Sequence, residues 1–341
     1  MDIDVMTSPS TWDDAALLAR RAQGAGFSGL LWTETSQVPW MQIAAAAMAA
    51  DELEFSTGIA VAFPRSPMVT AASAWELAAN TNGRFRLGLG SQVRAHVERR
   101  YSAEFDRPAA RMRDYVLAVK ACFRAFAGEK LAHEGEFYNL SLLPRDWRPP
   151  MHEHDLKVDI SAVGPLMTRY AGEVADGVHV HPLHSMPYIT NRLLPAVAEG
   201  AANTNRSVDE IDLIVPVFAC PGDTPEERAL YVAHARRQIG FYGSTRNYAF
   251  QFDDLGFAGT SARLNDALKA GDVAGMEAVI TDDMLEHFAV IAPWDELADR
   301  LIERYKGTAR RIVIYIGEHQ IRCDDNQLAQ WMEVAQAVRA S

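Results

Sequence analysis

The chain has 341 residues, 48% hydrophobic and 23% charged, a balance that fits a globular protein with one large buried core or two smaller ones. Its net charge of -12 and pI near 5.3 argue against broad binding to nucleic acid or anionic membrane, because either surface repels an acidic face. Three cysteines (Cys122, Cys220, Cys323) without paired metal spacing, an acidic start unlike a signal peptide, and no apolar run near the about 20 residues of a membrane span predict a cytoplasmic protein whose partners are small molecules.

Residues 3–6 alternate as a short strand. Ser10 or Thr11 then caps a helix that runs through Ala15, Leu18, Ala19 and Ala22 and stops at Gly24 to Gly26. An apolar strand is predicted at 29–33, a helix at 43–50, a strand at 55–62, a helix at 69–81 and a strand at 85–89. Strands recur at about 25 to 30 residue spacing, each followed by a helix, which is the rhythm of βα units in a parallel sheet. They read as continuous apolar runs, as strands covered on both faces do.

A long helix over 108–126 leads into a stretch rich in Gly, Pro and aromatics, a loop or small hairpin inserted at about 128–155. The rhythm resumes with a strand at 158–162, a helix at 166–175, a strand at 177–181, a helix at 186–202 and a strand at 213–219. Thr224 starts the next helix, with Glu226 and Glu227 suited to its dipole. A helical insertion over 242–293 precedes the last strand at 311–316 and the last helix at 326–338. Eight strands predict an α/β protein with a closed (β/α)8 TIM barrel, a single domain over 1–341 with insertions after strand four and before strand eight.

In such a barrel the active site lies at the C-terminal strand ends, so the polar residues just after each apolar run are the candidates. Gly88 and Gly90 leave room for a flat ligand above the fourth strand, and Ser91, Gln92, Arg94 and His96 bring hydroxyl, amide, guanidinium and imidazole groups to one short loop. The alternative is an ordinary glycine turn, since the third glycine of the dinucleotide pattern is missing. Glu34 after the second strand is a base, an orienter or a solvated loop acid. Gly164 and Pro165 open a helix whose free amides form an anion site, or simply a βα turn. His179 and His181 share a strand face with His184 nearby, which is a metal cluster, a set of pocket donors, or core packing. Arg94, Arg99 and Arg100 bind an anionic tail or form a solvated helix face. Trp40, Phe63, Tyr242 and Tyr248 line an apolar cavity or belong to the core.

Four segments together resemble the bacterial luciferase-like superfamily, especially its branch dependent on the deazaflavin coenzyme F420. They are Gly-Arg-Phe-Arg-Leu-Gly-Leu-Gly-Ser at 83–91, Gly164-Pro165 with Ala-Gly-Glu-Val-Ala-Asp-Gly at 171–177, Thr-Gly-Ile-Ala-Val at 57–61 with Arg65-Ser66-Pro67, and Phe-Tyr-Gly-Ser-Thr at 241–245 with Tyr248. The resemblance spans nearly the whole chain. It implies a three-ring cofactor over the strand ends, with a non-prolyl cis peptide near Ala60 and Val61 behind the ring. Gly90, Ser91, Gln92 and His96 would border the ring, and the backbone of Val163, Gly164, Pro165, Leu166 and Met167 would cradle the phosphate. Hydride would pass between ring carbon C5 and a small substrate. Several relatives place an acid followed by histidine after strand two, whereas here Glu34 precedes Thr35, Ser36 and Gln37. Glu34, His96 and His181 are therefore the catalytic candidates for proton handling. The family implies a homodimer formed through the helices after the early strands. The rivals are an FMN-dependent monooxygenase, a metal-dependent hydrolase built on His179, His181 and His184, and a non-catalytic cofactor carrier.

Overall fold

Apolar runs buried on both faces pair only with parallel neighbours here. The computed structural model describes residues 1–7 and 11–341. In chain order the strands are β1 (Asp2–Thr7), β2 (Gly29–Trp32), β3 (Glu54–Thr57), β4 (Ala60–Val61), β5 (Phe85–Gly90), β6 (His133–Glu134), β7 (Asn139–Leu140), β8 (Val158–Ser161), β9 (Gly177–His179), β10 (Asp212–Pro221), β11 (Ala289–Ala292) and β12 (Arg311–Ile314). The parallel pairings run β1–β2–β3–β5–β8–β9–β10–β12 and return to β1, closing the predicted (β/α)8 barrel. Ser10 lies outside the described residues, and Thr11 caps the helix Trp12–Gly24 by accepting from the Asp14 N–H at 3.1 Å. The antiparallel β6–β7 hairpin fills the first insertion.

Two expectations are corrected. The predicted strand 55–62 is broken into β3 and β4, and the non-prolyl cis peptide expected near Ala60 and Val61 joins Gly58 to Ile59, just before them. The break occurs at a glycine because a Cβ at position 58 would run into the Leu31 side chain. The segment 242–293 is mostly helical but ends in β11, which pairs with the far end of β10 from Phe218 to Pro221. A four-residue apolar run is too short for its periodicity to separate strand from helix.

Side chains alternate along each strand, so the barrel has an outer and an inner core. Outward residues such as Ile3, Val5, Leu30, Trp32, Phe55, Leu87 and Ile160 pack beneath the helices and are fully buried, each worth about 1.5–3 kcal/mol relative to exposure. Inward, Met6, Leu31, Ile214 and Val313 form a separate apolar layer. Two residues earlier on the same strands stand Asp4, Gly29, Asp212 and Arg311, so the layer below is polar. Arg311 bonds Asp4 and Glu54 there, in space left by Gly29, whose Cβ would lie 3.2 Å from the guanidinium. Arg86 donates to both oxygens of Asp159 at 2.5 and 2.7 Å and to Asp212 at 2.7 Å. The charged side chains at the base of the barrel are thus paired with one another.

Candidate functional site

At the C-terminal mouth, β2 delivers Glu34 and β4 is followed by Arg65. Glu34 is buried. Its Oε1 accepts from Arg65 at 2.5 Å, while Oε2 accepts from Arg65 at 2.8 Å and from the Val61 N–H at 2.8 Å. Arg65 also donates to the Val61 carbonyl at 2.9 Å. The pair therefore clamps β4, and both carboxylate oxygens are occupied within the protein. Ala60 and Val61, held by this clamp, pair with Leu89 and Gly90.

β5 supplies the floor. Thr57 accepts from the Gly88 N–H at 2.9 Å and donates to the Gly88 carbonyl at 2.7 Å, so the two strands are fixed side by side. A Cβ on Gly88 would meet the Thr57 carbonyl, and one on Gly90 would stand 2.6 Å from Ile59. Ser91 and Gln92 are half-buried at the strand end, and Gln92 adopts left-handed backbone with φ 59°. His96 lies one turn farther, exposed on the helix Arg94–Arg99. Among the described residues its side chain has no hydrogen bond, to Glu34 or to any other.

After β8, Gly164 caps the helix Pro165–Val174 in extended conformation. Gly164, Pro165 and Leu166 are exposed, Val163 and Met167 half-buried, and a Cβ on Gly164 would meet nothing within 4 Å. First-turn N–H groups have no partner inside a helix, so those of Leu166 and Met167 face outward space. Tyr188 holds the approach by donating to the Val163 carbonyl at 3.0 Å.

The three histidines diverge. His179 points into the barrel, with Nε2 3.4 Å from Asp159, a separation too long and poorly aligned to satisfy it. His184 packs away from the mouth, donating from Nδ1 to the His181 carbonyl at 2.9 Å and accepting at Nε2 from Tyr305 at 3.3 Å. Burial pushes its imidazole down to about 4. His181 alone faces the mouth. Its Nδ1 accepts from the Leu183 N–H at 3.1 Å, which assigns the proton to Nε2. Burial, helped by His184, pushes this ring down to about 3. Among the described residues no three His, Cys, Asp or Glu side chains are placed to hold a metal ion, so the hydrolase reading of His179, His181 and His184 loses its ligand set.

Around His181 stand tyrosines. The ring of Tyr242 lies 4.7 Å away edge-on and that of Tyr248 4.6 Å away. The hydroxyls of Tyr242 and Tyr315 are 2.5 Å apart, and Phe218 packs edge-on against Tyr315 at 4.9 Å. Tyr242 and Tyr248 are thus gathered at the mouth, while Trp40 and Phe63 lie against other walls. Tyr315, immediately after β12, was missed from sequence; Arg65 is legible there as a polar residue after the third strand, but its pairing with Glu34 is not. Tyr315 could be found as the polar-tipped residue ending the last apolar run, but an aromatic there also reads as core. A separate cleft of about 760 Å3, lined by residues such as Leu285, Val290 and Arg304, shares none of the residues named at the mouth.

The family model described as luciferase-like monooxygenase matches residues 2–311. The chain belongs to this family. Among luciferase-like relatives, an uncharacterized protein of Mycobacterium tuberculosis is 37% identical over 304 residues, 87% of this chain and 89% of that one. An F420-dependent glucose-6-phosphate dehydrogenase of Nocardia farcinica is 31% identical over 192 residues, 55% of each chain. The coenzyme F420 dependent tetrahydromethanopterin reductase from Methanopyrus kandleri superposes with a TM-score of 0.79 at 18% identity, covering 99% of this luciferase-like chain and 98% of that one. At that identity the likeness is one of fold.

Proposed function

We propose that this luciferase-like protein is an oxidoreductase that passes hydride between coenzyme F420 and a small organic substrate. The observation that carries the reading is the mouth itself: strand ends that hold Ala60, Val61 and Gly90 clamped by Glu34 and Arg65, and others that gather an aromatic cluster around His181. Its residues fit a flat three-ring group with a phosphate tail. Ala60, Val61 and Gly90 are themselves buried, so the ring would rest against the half-buried Gly58 and Ile59 beside them, Ser91 and Gln92 offer polar atoms at its edge, and the free amides of Leu166 and Met167 suit an anion. The naming of an F420-dependent enzyme at 31% identity supports the same choice of cofactor.

When bound, the deazaflavin supplies hydride donor or acceptor chemistry at ring carbon C5. The chain positions the partners and excludes water through its tyrosines. His181 keeps a proton at Nε2 that has no acceptor among the described residues, which ranks it first for proton handling. Glu34 serves by holding the wall, and exposed His96 borders the entrance.

An FMN-dependent monooxygenase is the second reading, favoured by the description of the family model. Fluorescence titration of the purified protein with coenzyme F420 and with FMN separates them. Micromolar F420 binding with weak FMN binding is expected. FMN binding alone, followed by oxygen consumption with reduced flavin, would replace the first reading by the second, and binding of neither would remove both.

A further inference from the structure

The tyrosine pair at the mouth is incompletely satisfied. Two phenolic groups carry two hydrogens, and the 2.5 Å contact between Tyr242 and Tyr315 consumes one of them. Neither oxygen has another hydrogen-bond partner among the described residues, so one O–H always remains to donate elsewhere. Both side chains are half-buried. Burial raises both phenols above the ordinary tyrosine range, and for Tyr315 the adjacent Tyr242 adds to the shift, so both stay protonated near neutral pH.

The setting of this hydroxyl is apolar and uncharged. Tyr315 packs on the inner layer of Met6, Leu31, Ile214 and Val313, and against Phe218. Tyr242 touches the ring of His181, whose Nε2–H is a second donor without a protein acceptor among the described residues. The recorded ring contacts of Tyr242, Tyr248 and Tyr315 are with His181 and other aromatics. The strand-end guanidinium of Arg65 is already bound by both oxygens of Glu34.

We propose that the Tyr242–Tyr315 hydroxyl pair, with the Nε2–H of His181 in the same cluster, is the substrate-oxygen site, and that the substrate is a neutral, largely apolar ketone, aldehyde or alcohol. Aromatic rings supply contact area and the spare O–H fixes the oxygen. A carboxylate or phosphate would be desolvated among these rings, on whose faces no lysine or arginine stacks among the described residues. The assignment deepens the hydride-transfer reading and rests on it for the reaction, but the binding itself is independent of any cofactor.

The test is ligand-observed NMR on the full-length protein with three probes of similar size, acetophenone, ethylbenzene and benzoate, with and without coenzyme F420. Acetophenone should bind about three- to tenfold more tightly than ethylbenzene, the worth of one hydrogen bond, and benzoate about tenfold more weakly than acetophenone. In Y242F/Y315F, which keeps both rings, the preference for acetophenone over ethylbenzene should fall to about one, while Y315F and Y242F singly report which hydroxyl faces the ligand. A preference that survives the double variant, benzoate binding as tight as acetophenone, or no acetophenone binding at all overturns the proposal. A parallel fluorescence titration with F420 keeps the two readings apart. F420 binding without oxygen preference sinks the tyrosine site alone, and oxygen preference without F420 binding sinks the cofactor reading alone.

Discussion

The two ends of the barrel are built by opposite rules. At the base, charged side chains are matched to one another: Arg86 serves Asp159 and Asp212, and Arg311 serves Asp4 and Glu54. At the mouth, the Glu34–Arg65 clamp is matched, but the tyrosine pair and His181 keep donors that no described residue accepts. Saturated polar groups stabilise and specify a fold, whereas unsaturated ones at a strand-end mouth are where the proposed function needs a ligand. One guanidinium also has limits. Arg311 faces three acids, Asp2, Asp4 and Glu54, and burial, with Glu54 and Asp2 adding to it, raises the Asp4 carboxyl despite Arg311. Arg311 itself is held protonated, its burial outweighed by those acids.

The contrast can be broken at either end. The largest expected effect is at the base: R86A strands the fully buried Asp159 and should lower unfolding free energy by about 3–5 kcal/mol in a guanidinium melt. A loss under about 1 kcal/mol would mean that the ionic layer is not structural. Next comes acid. Burial would raise Asp159, but Arg86 and His179 outweigh it and hold the carboxyl at about 2. Its stabilisation is complete above the ordinary aspartate range near pH 4 and is lost as pH falls towards 2, a contribution on the order of 2 kcal/mol that D159N should erase from the acid-unfolding curve. His181 and His184, with values of about 3 and 4, lie below the ordinary imidazole range. The folded state thus resists their protonation, and stability declines as pH falls from about 6.5. Imidazole NMR signals should accordingly stay constant from neutral pH down to about 5, and a midpoint above 6 in either would contradict the burial.

Smaller effects sharpen the comparison at the mouth and the surface. Y242F/Y315F removes only a hydrogen bond that the two residues share, so its cost in the same melt should be about 1 kcal/mol or less, with ligand recognition altered instead. Destabilisation like that of R86A would make the mouth structural too. R300A, which breaks an exposed i,i+4 pair with Glu296 at 3.1 Å on the outer helix Trp294–Tyr305, should change stability by less than about 0.5 kcal/mol.

Much of the architecture was legible because a parallel barrel writes itself as a linear rhythm. All eight barrel strands and the strand-end placement of Glu34, Gly90 and His181 follow from apolar runs and what comes next. The misses have local causes. The third strand reads as unbroken over 55–62 because Gly58 and Ile59 fit a strand pattern, and only Leu31 on β2 shows why a glycine stands at the break. β11 was hidden by its four-residue length. The three histidines look alike in the sequence, yet one points to Asp159, one to Tyr305 and one to the tyrosines of the mouth.

By itself the sequence determined the βα repeat, the closure it implies, the family and the strand ends where chemistry belongs, because periodicity and strand-end position are properties of neighbouring residues. The tertiary structure alone decided which polar groups are satisfied. Glu34 meets Arg65 31 positions away, and Tyr242 meets Tyr315 across 73. Whether a donor is consumed or left open depends on what closure brings opposite it, and no local pattern carries that information.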